Sequence, residues 1–510
     1  MTNTPSTHEQ SSTASSSEPD VLRGLRLLFE ALDRRGVRYC HWKSNARLAE
    51  ALRGEGDVDL LVHRADSATF QSVLGALGYK PTRGGGASVG HHYGLDEASG
   101  RLLHLHVYHR VVTGGTVLKN HRLPVEDLLL SHTRRLHGVP VPDRAAELVL
   151  FVVRKMLEYA TPVETLFLAR EGSAVGEELA WLQAGVPEEA VSALLARHLP
   201  TLDPSLFRRC RDALASGSRV RRFLLARALA SRLRVYACHP APAAALLRGL
   251  RFARKVCRRA LGRGPGDALV SGGAVIGVVG PDGAGKSTVV QGTARWLGEC
   301  LPVAAIHAGK PPATLATAAP HFTLPLLRRL LPRYRAIAIE ADGDAPRPHG
   351  PEQLREGRLF LLYPLRAVML AHERRRLLLR AHRRAARGAL VLSDRYPTTQ
   401  VGVPEGPAAS FLLDDANPVY RWLARLEERI YRSIPPADLI LRLEVPVDLA
   451  CHRNLTRDKV GGPKPTGYIR RRHEQTVDLQ FPGARVEPVS TAIGVEDTLR
   501  AVREIVWTAL

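Results

Sequence analysis

The fold of the C-terminal half is decided by one glycine-rich stretch, Gly280-Pro281-Asp282-Gly283-Ala284-Gly285-Lys286-Ser287-Thr288. The apolar residues 274–279 before it have the composition of a buried parallel strand. Residues 288–297 after it have the pattern of a helix. A strand, a loop with the spacing GxxxxGKS and a helix, in this order, form the arrangement that binds phosphate groups. The sequence therefore predicts a phosphate site at the start of this helix.

The residue types in the loop match this chemistry. Glycines let the backbone curl so that its N–H groups face the phosphates, and the helix N-terminus adds its dipole. Lys286 is predicted to reach the β- and γ-phosphates, and the Ser287 hydroxyl to coordinate Mg²⁺. The residues predicted to bind the nucleotide are Gly280, Gly283, Ala284, Gly285, Lys286, Ser287 and Thr288.

A second apolar stretch, residues 389–393, ends in Asp394 and Arg395. Ligands of such folds bind beyond the carboxyl ends of the strands. Asp394 is therefore a candidate for holding Mg²⁺ or its water shell, and Arg395 for binding a phosphate. The alternative is an ion pair that closes a surface loop.

A third strand is predicted at residues 439–446, and a helix follows it. Cations then cluster along the chain: Arg453, Arg457, Lys459, Lys464, Arg470, Arg471 and Arg472. Phosphoryl transfer needs positive charge around the equatorial oxygens. The cluster predicts a mobile basic lid over the phosphate site, although each arginine taken singly can be a solvated surface residue.

The whole chain is predicted to belong to the α/β class. Short apolar strands alternate with helices over 274–510, which predicts a doubly wound parallel sheet with flanking helices. Residues 21–140 predict a mixed α/β domain and 141–261 a helical region, and a Gly/Pro-rich linker covers 262–273. Residues 1–20 predict a disordered tail, and 311–350 an insertion or lid.

The amino-acid composition indicates a class of binding partner but does not identify a particular one. Lys and Arg number 72 against 50 Asp and Glu, a formal charge of +22. This balance favours anionic partners, which include nucleotides, nucleic acid, phosphorylated sugars and an acidic membrane surface. Aromatic residues make up only 5% and form no visible stacking platform, so a nucleic-acid partner is not favoured.

Cysteine usage and hydropathy predict a cytoplasmic protein. The six cysteines form no CxxC pair, which is typical of reduced thiols. The N-terminus lacks the pattern of a signal peptide, and no apolar run reaches the length of a membrane span. The sequence leaves the oligomeric state open, with a homodimer among the options.

Residues 274–510 resemble the thymidylate kinase family of nucleoside monophosphate kinases. Residues 280–288 look like that family's P-loop, and Asp394-Arg395-Tyr396 is similar to its DRY/DRH motif. Residues 436–446 look like its "PDL" strand. The resemblance implies ATP, Mg²⁺ and transfer of the γ-phosphate to an acceptor monophosphate.

The resemblance also implies roles for single residues. Lys286, Asp394, Arg395 and Asp282 would be catalytic, with Asp282 facing the acceptor. Arg374 matches the helix arginine that binds the acceptor phosphate, and Arg453, Arg457 and Arg470 would belong to the lid.

The acceptor stays open because residues 306–312 replace the family's Arg-Glu-Pro-Gly type motif. A nucleoside monophosphate is the leading candidate for the phosphate acceptor. A phosphosugar, a glycan precursor and a nucleic-acid end are the alternatives. A further alternative is an ATP-binding switch without phosphotransfer.

The N-terminal block more weakly resembles the nucleotidyltransferase fold. That fold holds two Mg²⁺ ions on an Asp-x-Asp pair and a third carboxylate, so Asp57 and Asp59 are candidate Mg²⁺ ligands. The neighbouring stretch 104–106 carries no acid, which favours a degenerate binding domain. The nearby histidines are alternatively transition-metal ligands or simply polar-facing strand residues: His91, His92, His104, His106 and His109.

Overall fold

The structure is a computed structural model that describes residues 21–84, 89–161, 172–215, 218–260, 267–309, 311–312, 362–456 and 464–510. These residues form two compact units: 21–79 with 89–260, and 80–84 with the residues from 267 onward. The predicted tail, most of the linker and most of the insertion lie outside the described residues. Arg457 and Lys459 of the predicted lid also lie outside them.

The strands are numbered in chain order. They are β1 (Tyr39–His41), β2 (Val58–Val62), β3 (Lys80–Arg83), β4 (Gly90–Asp96), β5 (Arg101–Tyr108), β6 (Val111–Gly114), β7 (Lys119–Leu123), β8 (Thr133–Leu136), β9 (Val139–Pro142), β10 (Ala268–Leu269), β11 (Val275–Val279), β12 (Val303–His307), β13 (Leu390–Asp394), β14 (Leu439–Glu444) and β15 (Arg485–Ser490).

The helices are α1 (Arg23–Arg34), α2 (Leu48–Leu52), α3 (Ser67–Ala76), α4 (Glu126–Ser131), α5 (Arg144–Glu158), α6 (Gly172–Gln183), α7 (Glu188–His198), α8 (Pro204–Ala215), α9 (Arg219–Arg232), α10 (Ala241–Ala260), α11 (Lys286–Gly298), α12 (Leu362–Ala385), α13 (Pro418–Arg432), α14 (Val447–Leu455), α15 (Thr466–Val477) and α16 (Val495–Ala509). Within this part of the chain, no helix combines the length and the apolar character needed to span a bilayer.

In the first unit, the main sheet has the order β1-β2-β5-β4. Strands β2 and β5 run parallel, and the two outer strands are antiparallel to their neighbours. Leu103, Leu105 and Val107 of β5 are buried in one core cluster with residues of α1 and α3. Because residues two apart on a strand share a face, His104 and His106 lie on the opposite face of the sheet.

Helix α5 forms the centre of a second core in the first unit. Asp143 caps it by accepting a hydrogen bond from the Ala145 N–H at 3.0 Å. The helix is buried along most of its length, and its side chains cluster with those of α6 to α9 and with Trp42 and Tyr108. The helices predicted between residues 141 and 261 thus lie in the same unit as the first sheet.

The second unit contains a five-stranded sheet in the order β12-β13-β11-β14-β15, parallel throughout. This sheet confirms the predicted α/β class. From the central strand β11 the chain passes to β12 at one edge of the sheet and then to β13, which lies between them. From β13 it crosses to β14, on the other side of β11. The carboxyl ends of β11 and β13 are adjacent at this topological switch point, so residues 280–285 lie next to Asp394.

Candidate functional site

The glycine-rich loop is held in a shape that requires glycine. Gly283 has φ +88°, and a Cβ there would stand 2.7 Å from the backbone oxygen of Ala450. Gly285 has φ +83° and serves as the N-cap of α11, so the helix begins at Lys286. The first N–H groups of a helix have no partner within the helix. The loop therefore presents backbone donors and the positive end of the helix dipole at the sheet edge.

The Lys286 side chain is folded back into this loop. Its Nζ donates to the carbonyl oxygens of Gly280 and Pro281 at 2.9 and 2.8 Å. Burial lowers the pKa of Lys286 to about 8, and the nearby charge of Arg395 adds to this shift. A buried ammonium group thus lies where an incoming anion would meet the loop.

Ser287 and Asp394 form the next pair of the site. The Ser287 hydroxyl donates to Asp394 Oδ2 at 3.1 Å, and Val278 of β11 lies opposite Asp394 of β13 in the sheet register. Asp394 Oδ1 is buried and has no hydrogen-bond partner among the described residues. A buried carboxylate oxygen without a partner is costly unless a cation or water meets it. Hydroxyl and carboxylate oxygens are hard ligands, so this pair fits Mg²⁺.

Asp282 is the carboxylate on which three cations converge. Lys464 Nζ lies 3.0 Å from its Oδ2, while Arg395 Nη2 and Lys286 Nζ lie 3.3 and 3.8 Å from its Oδ1. Burial alone would raise the pKa of Asp282, but these cations outweigh it and hold the pKa well below its usual range. In the sequence, Lys464 is only one member of the late basic cluster, because a contact with a residue 182 positions away leaves no local signal.

Arg395 has an unusual backbone conformation at the end of β13. Its φ is +72°, in the left-handed region that bulky residues rarely adopt, and its N–H donates to the Val278 carbonyl at 3.0 Å. The guanidinium forms ion pairs with Glu405 and Asp282. Such strain persists only where the surroundings fix it, as at binding sites. Glu405 is not among the residues predicted from the sequence, because it lies in an irregular loop without periodicity.

Arg374 of α12 is buried beside the end of β12. Its Nε donates to the Ala308 carbonyl at 3.1 Å, and its Nη1 donates to the Tyr431 hydroxyl. A Cβ on Gly309 of the same turn would lie 2.6 Å from Cδ of Arg395. Both arginines therefore reach the turn at residues 308–309, within the stretch that departs from the family motif.

The predicted lid residues have different surroundings. Arg453 Nη2 donates to the Thr491 carbonyl at 2.7 Å, and Arg470 forms an exposed ion pair with Asp448 at 3.1 Å. Arg457 lies outside the described residues. Of the cluster, Lys464 is the residue whose described contact reaches the glycine-rich loop.

The N-terminal candidates Asp57 and Asp59 lie among cationic and imidazole groups. Lys43 Nζ is 2.9 Å from Asp59 Oδ1, and the rings of His104 and His106 contact the two carboxylates. The hydrogen bond from His104 is the main cause that lowers the pKa of Asp57. Burial opposes ionisation of Asp59, but His106 and Lys43 outweigh it and lower that pKa as well. In the register of β2 and β5, His106 lies opposite Asp59.

Comparisons with known proteins give a distant similarity to solved structures only. No family model matches the chain, and no curated protein matches it. Among solved structures, thymidylate kinase from Candida albicans is similar at 16% identity with a TM-score of 0.26. The match covers 46% of this chain and 92% of that one. A likeness of this size assigns neither a substrate nor an activity to this chain.

Proposed function

We propose that the second unit is an ATP- and Mg²⁺-dependent phosphotransferase whose acceptor is a small phosphorylated molecule. The observation that carries the proposal is the Ser287–Asp394 pair at the start of α11. Oδ1 of Asp394 is buried beside the glycine-rich loop and has no hydrogen-bond partner in the part of the chain that the structure describes. A hard-oxygen pair next to backbone donors is what a nucleotide–magnesium complex requires.

Each residue then has a defined task. The loop N–H groups and Lys286 would bind the nucleotide phosphates, while Ser287 and Asp394 would hold Mg²⁺. Held there, Mg²⁺ would supply positive charge next to the transferring phosphoryl group. The protein otherwise acts by positioning the reactants and by placing positive charge where negative charge develops.

Arg374 and Arg395 support a phosphate monoester as the acceptor. Both guanidinium groups reach the turn at residues 308–309, and guanidinium groups bind phosphate through paired hydrogen bonds. Asp282, beside Lys464, would face the acceptor, and Arg453, Arg457 and Arg470 would belong to the lid. A nucleoside monophosphate is the leading acceptor on the resemblance of residues 274–510, and a phosphosugar or glycan precursor is the alternative.

An ATP-consumption screen with nucleoside monophosphates, phosphosugars and oligonucleotides tests this proposal. We expect one acceptor class to accelerate ATP consumption, and Lys286→Ala to abolish the acceleration. Arg295→Ala is the matched control, because Arg295 is an exposed residue of the same helix.

Two outcomes would contradict the proposal. Unchanged ATP consumption in Lys286→Ala would show that the glycine-rich loop takes no part in the reaction. Slow consumption that is the same with every acceptor would instead identify an ATP-binding switch.

A further inference from the structure

A cluster of imidazoles lies on one face of the first unit's sheet and has no role in the proposed phosphotransfer. Strand β5 alternates buried apolar residues with His104 and His106, which therefore share a face. The antiparallel register of β4 and β5 places His91 opposite His106 and Tyr93 opposite His104. Two neighbouring strands thus bring three histidines together.

The distances between these rings approach those of a metal centre. Each of His91, His104 and His106 offers a ring nitrogen, and these atoms lie within 4.8 Å of one another. His91 Nδ1 and His104 Nε2 are 3.1 Å apart. Around a tetrahedral ion with metal–nitrogen bonds of about 2.0–2.1 Å, two ligand nitrogens stand about 3.3 Å apart. The closest pair already has nearly that spacing, and the ring nitrogen of the third histidine lies within 4.8 Å of both.

Two of the rings are oriented by carboxylates. His104 Nδ1 donates to Asp57 Oδ1 at 2.7 Å, and His106 Nδ1 donates to Asp59 Oδ1 at 3.1 Å. With Nδ1 protonated, the lone pair of each ring is on Nε2, the tautomer that a metal ligand needs. Metal-bound histidines usually donate their other N–H to a carboxylate in this way. Tyr93 further fixes His104 by stacking on it at 4.2 Å with an interplanar angle of 7°.

The other two histidines considered from the sequence lie apart from this cluster. His92 pairs with Leu105 in the register and contacts Gln71 at 3.2 Å. Its pKa is lowered to about 4, mainly by burial. His109 contacts the Val62 carbonyl at 3.1 Å. The sequence alone therefore offers five histidines as possible metal ligands, whereas the strand register brings only three of them together.

We propose that His91, His104 and His106 bind a first-row transition-metal ion of the Zn²⁺ class, with Asp57 and Asp59 orienting the ligands. The carboxylates are engaged by imidazoles and by Lys43, which favours nitrogen ligation over a Mg²⁺ site built on the two acids. Three protein ligands leave one position of a tetrahedral ion for water or an anionic oxygen.

The test uses untagged full-length protein, stripped with a chelator and titrated with Zn²⁺ and with Co²⁺. We expect one equivalent of high-affinity ion and the visible absorption of tetrahedral Co²⁺. Asp57→Asn should weaken affinity about 10–100-fold, the range for groups that orient a ligand, and His106→Ala should weaken it further. His137→Asn is the control, because His137 is exposed with φ +50°, which asparagine tolerates, and it should bind like wild type.

The wild-type titration alone can overturn the proposal, so it stays decisive if a variant fails to fold. Absence of both tight Zn²⁺ binding and a tetrahedral Co²⁺ spectrum would overturn it. So would Mg²⁺ or Mn²⁺ binding that depends on Asp57 but not on His106. Lys286→Ala should bind Zn²⁺ normally, which separates this site from the proposed phosphotransfer.

Discussion

At the scale of single residues, the buried ammonium of Lys286 should make the proposed nucleotide binding depend on pH. Its pKa of about 8 applies without a bound anion, and a bound phosphate favours the charged form and raises it. ATP affinity should therefore be constant up to about pH 8 and then fall by at most about tenfold per pH unit. Calorimetric titration between pH 7 and 9.5 measures this slope.

Lys286→Gln should bind ATP weakly and lose this slope, while Arg295→Ala should follow wild type. A wild-type affinity that stays flat to pH 9.5 would show that the charge of Lys286 does not contribute to binding.

Two glycines of the loop provide a matched pair for stability. Both have positive φ, but a Cβ on Gly285 meets no atom within 4 Å, whereas on Gly283 it lies 2.7 Å from a backbone oxygen. Gly285→Ala should lower the free energy of unfolding by about 1–2 kcal/mol, the cost of the left-handed conformation. Gly283→Ala should cost more because the backbone must also move. Urea unfolding of both variants gives the comparison, and equal losses would contradict the loop geometry.

At the scale of elements, helix α5 carries a buried acid that links the stability of the first unit to pH. Glu147 accepts a hydrogen bond from Asn45 Nδ2 at 2.7 Å, and burial raises its pKa from 4.5 to about 7. The folded state thus binds more protons than the unfolded state between these values. The stabilising contribution is complete below about pH 4.5 and is lost as pH rises through 7.

Glu147→Gln keeps an acceptor for Asn45 but does not titrate. Relative to wild type, its free energy of unfolding should rise between pH 5 and pH 8 by about 2–3 kcal/mol, most of the amount that a pKa shift from 4.5 to about 7 represents. Urea unfolding at the two pH values measures the change, with the exposed Glu189→Gln as control. If the free energies of unfolding of Glu147→Gln and wild type differed by the same amount at both pH values, the pKa of Glu147 would not be raised in the folded state.

The main elements around the candidate site follow from local sequence. The predicted strands at 274–279, 389–393 and 439–446 correspond to β11, β13 and β14 within a few residues. Continuous apolar runs of this length are typical of strands buried on both faces. Helix α11 begins two residues before the predicted start, because the left-handed Gly285 already caps it. Strands and helix ends such as these depend on residues that are close together in the chain, so they can be predicted from the sequence.

Side-chain pairing between distant elements could not be predicted in this way. The partners of Asp282, Arg374 and His106 depend on strand order and register, which no local pattern specifies. Arg374 is an example: its sequence position predicts a phosphate ligand, but it does not predict the hydrogen bonds to the Ala308 carbonyl and the Tyr431 hydroxyl. The sequence identifies Asp57, Asp59 and Asp282 as candidate site residues, but it does not show which cationic or imidazole groups pair with them.

At the scale of the whole molecule, the formal charge of +22 should produce only weak binding to nucleic acid. Because aromatic residues make up only 5% of the sequence, such binding should rest on phosphate contacts and should fall steeply with salt. An oligonucleotide bound at 50 mM salt should dissociate at 200 mM salt, as measured by fluorescence anisotropy. Phosphotransfer to a small acceptor should be unaffected by that oligonucleotide. Tight, sequence-dependent binding at 200 mM salt would instead favour a nucleic-acid end as the acceptor.

The transfer of label from γ-labelled ATP to an acceptor tests the central claim most directly. With Mg²⁺ and the acceptor class selected by the screen, wild type and Arg295→Ala should place the label on the acceptor, whereas Lys286→Ala and Ser287→Ala should not. Label released only as inorganic phosphate, at a rate independent of every acceptor, would contradict the assignment of this unit as a phosphotransferase.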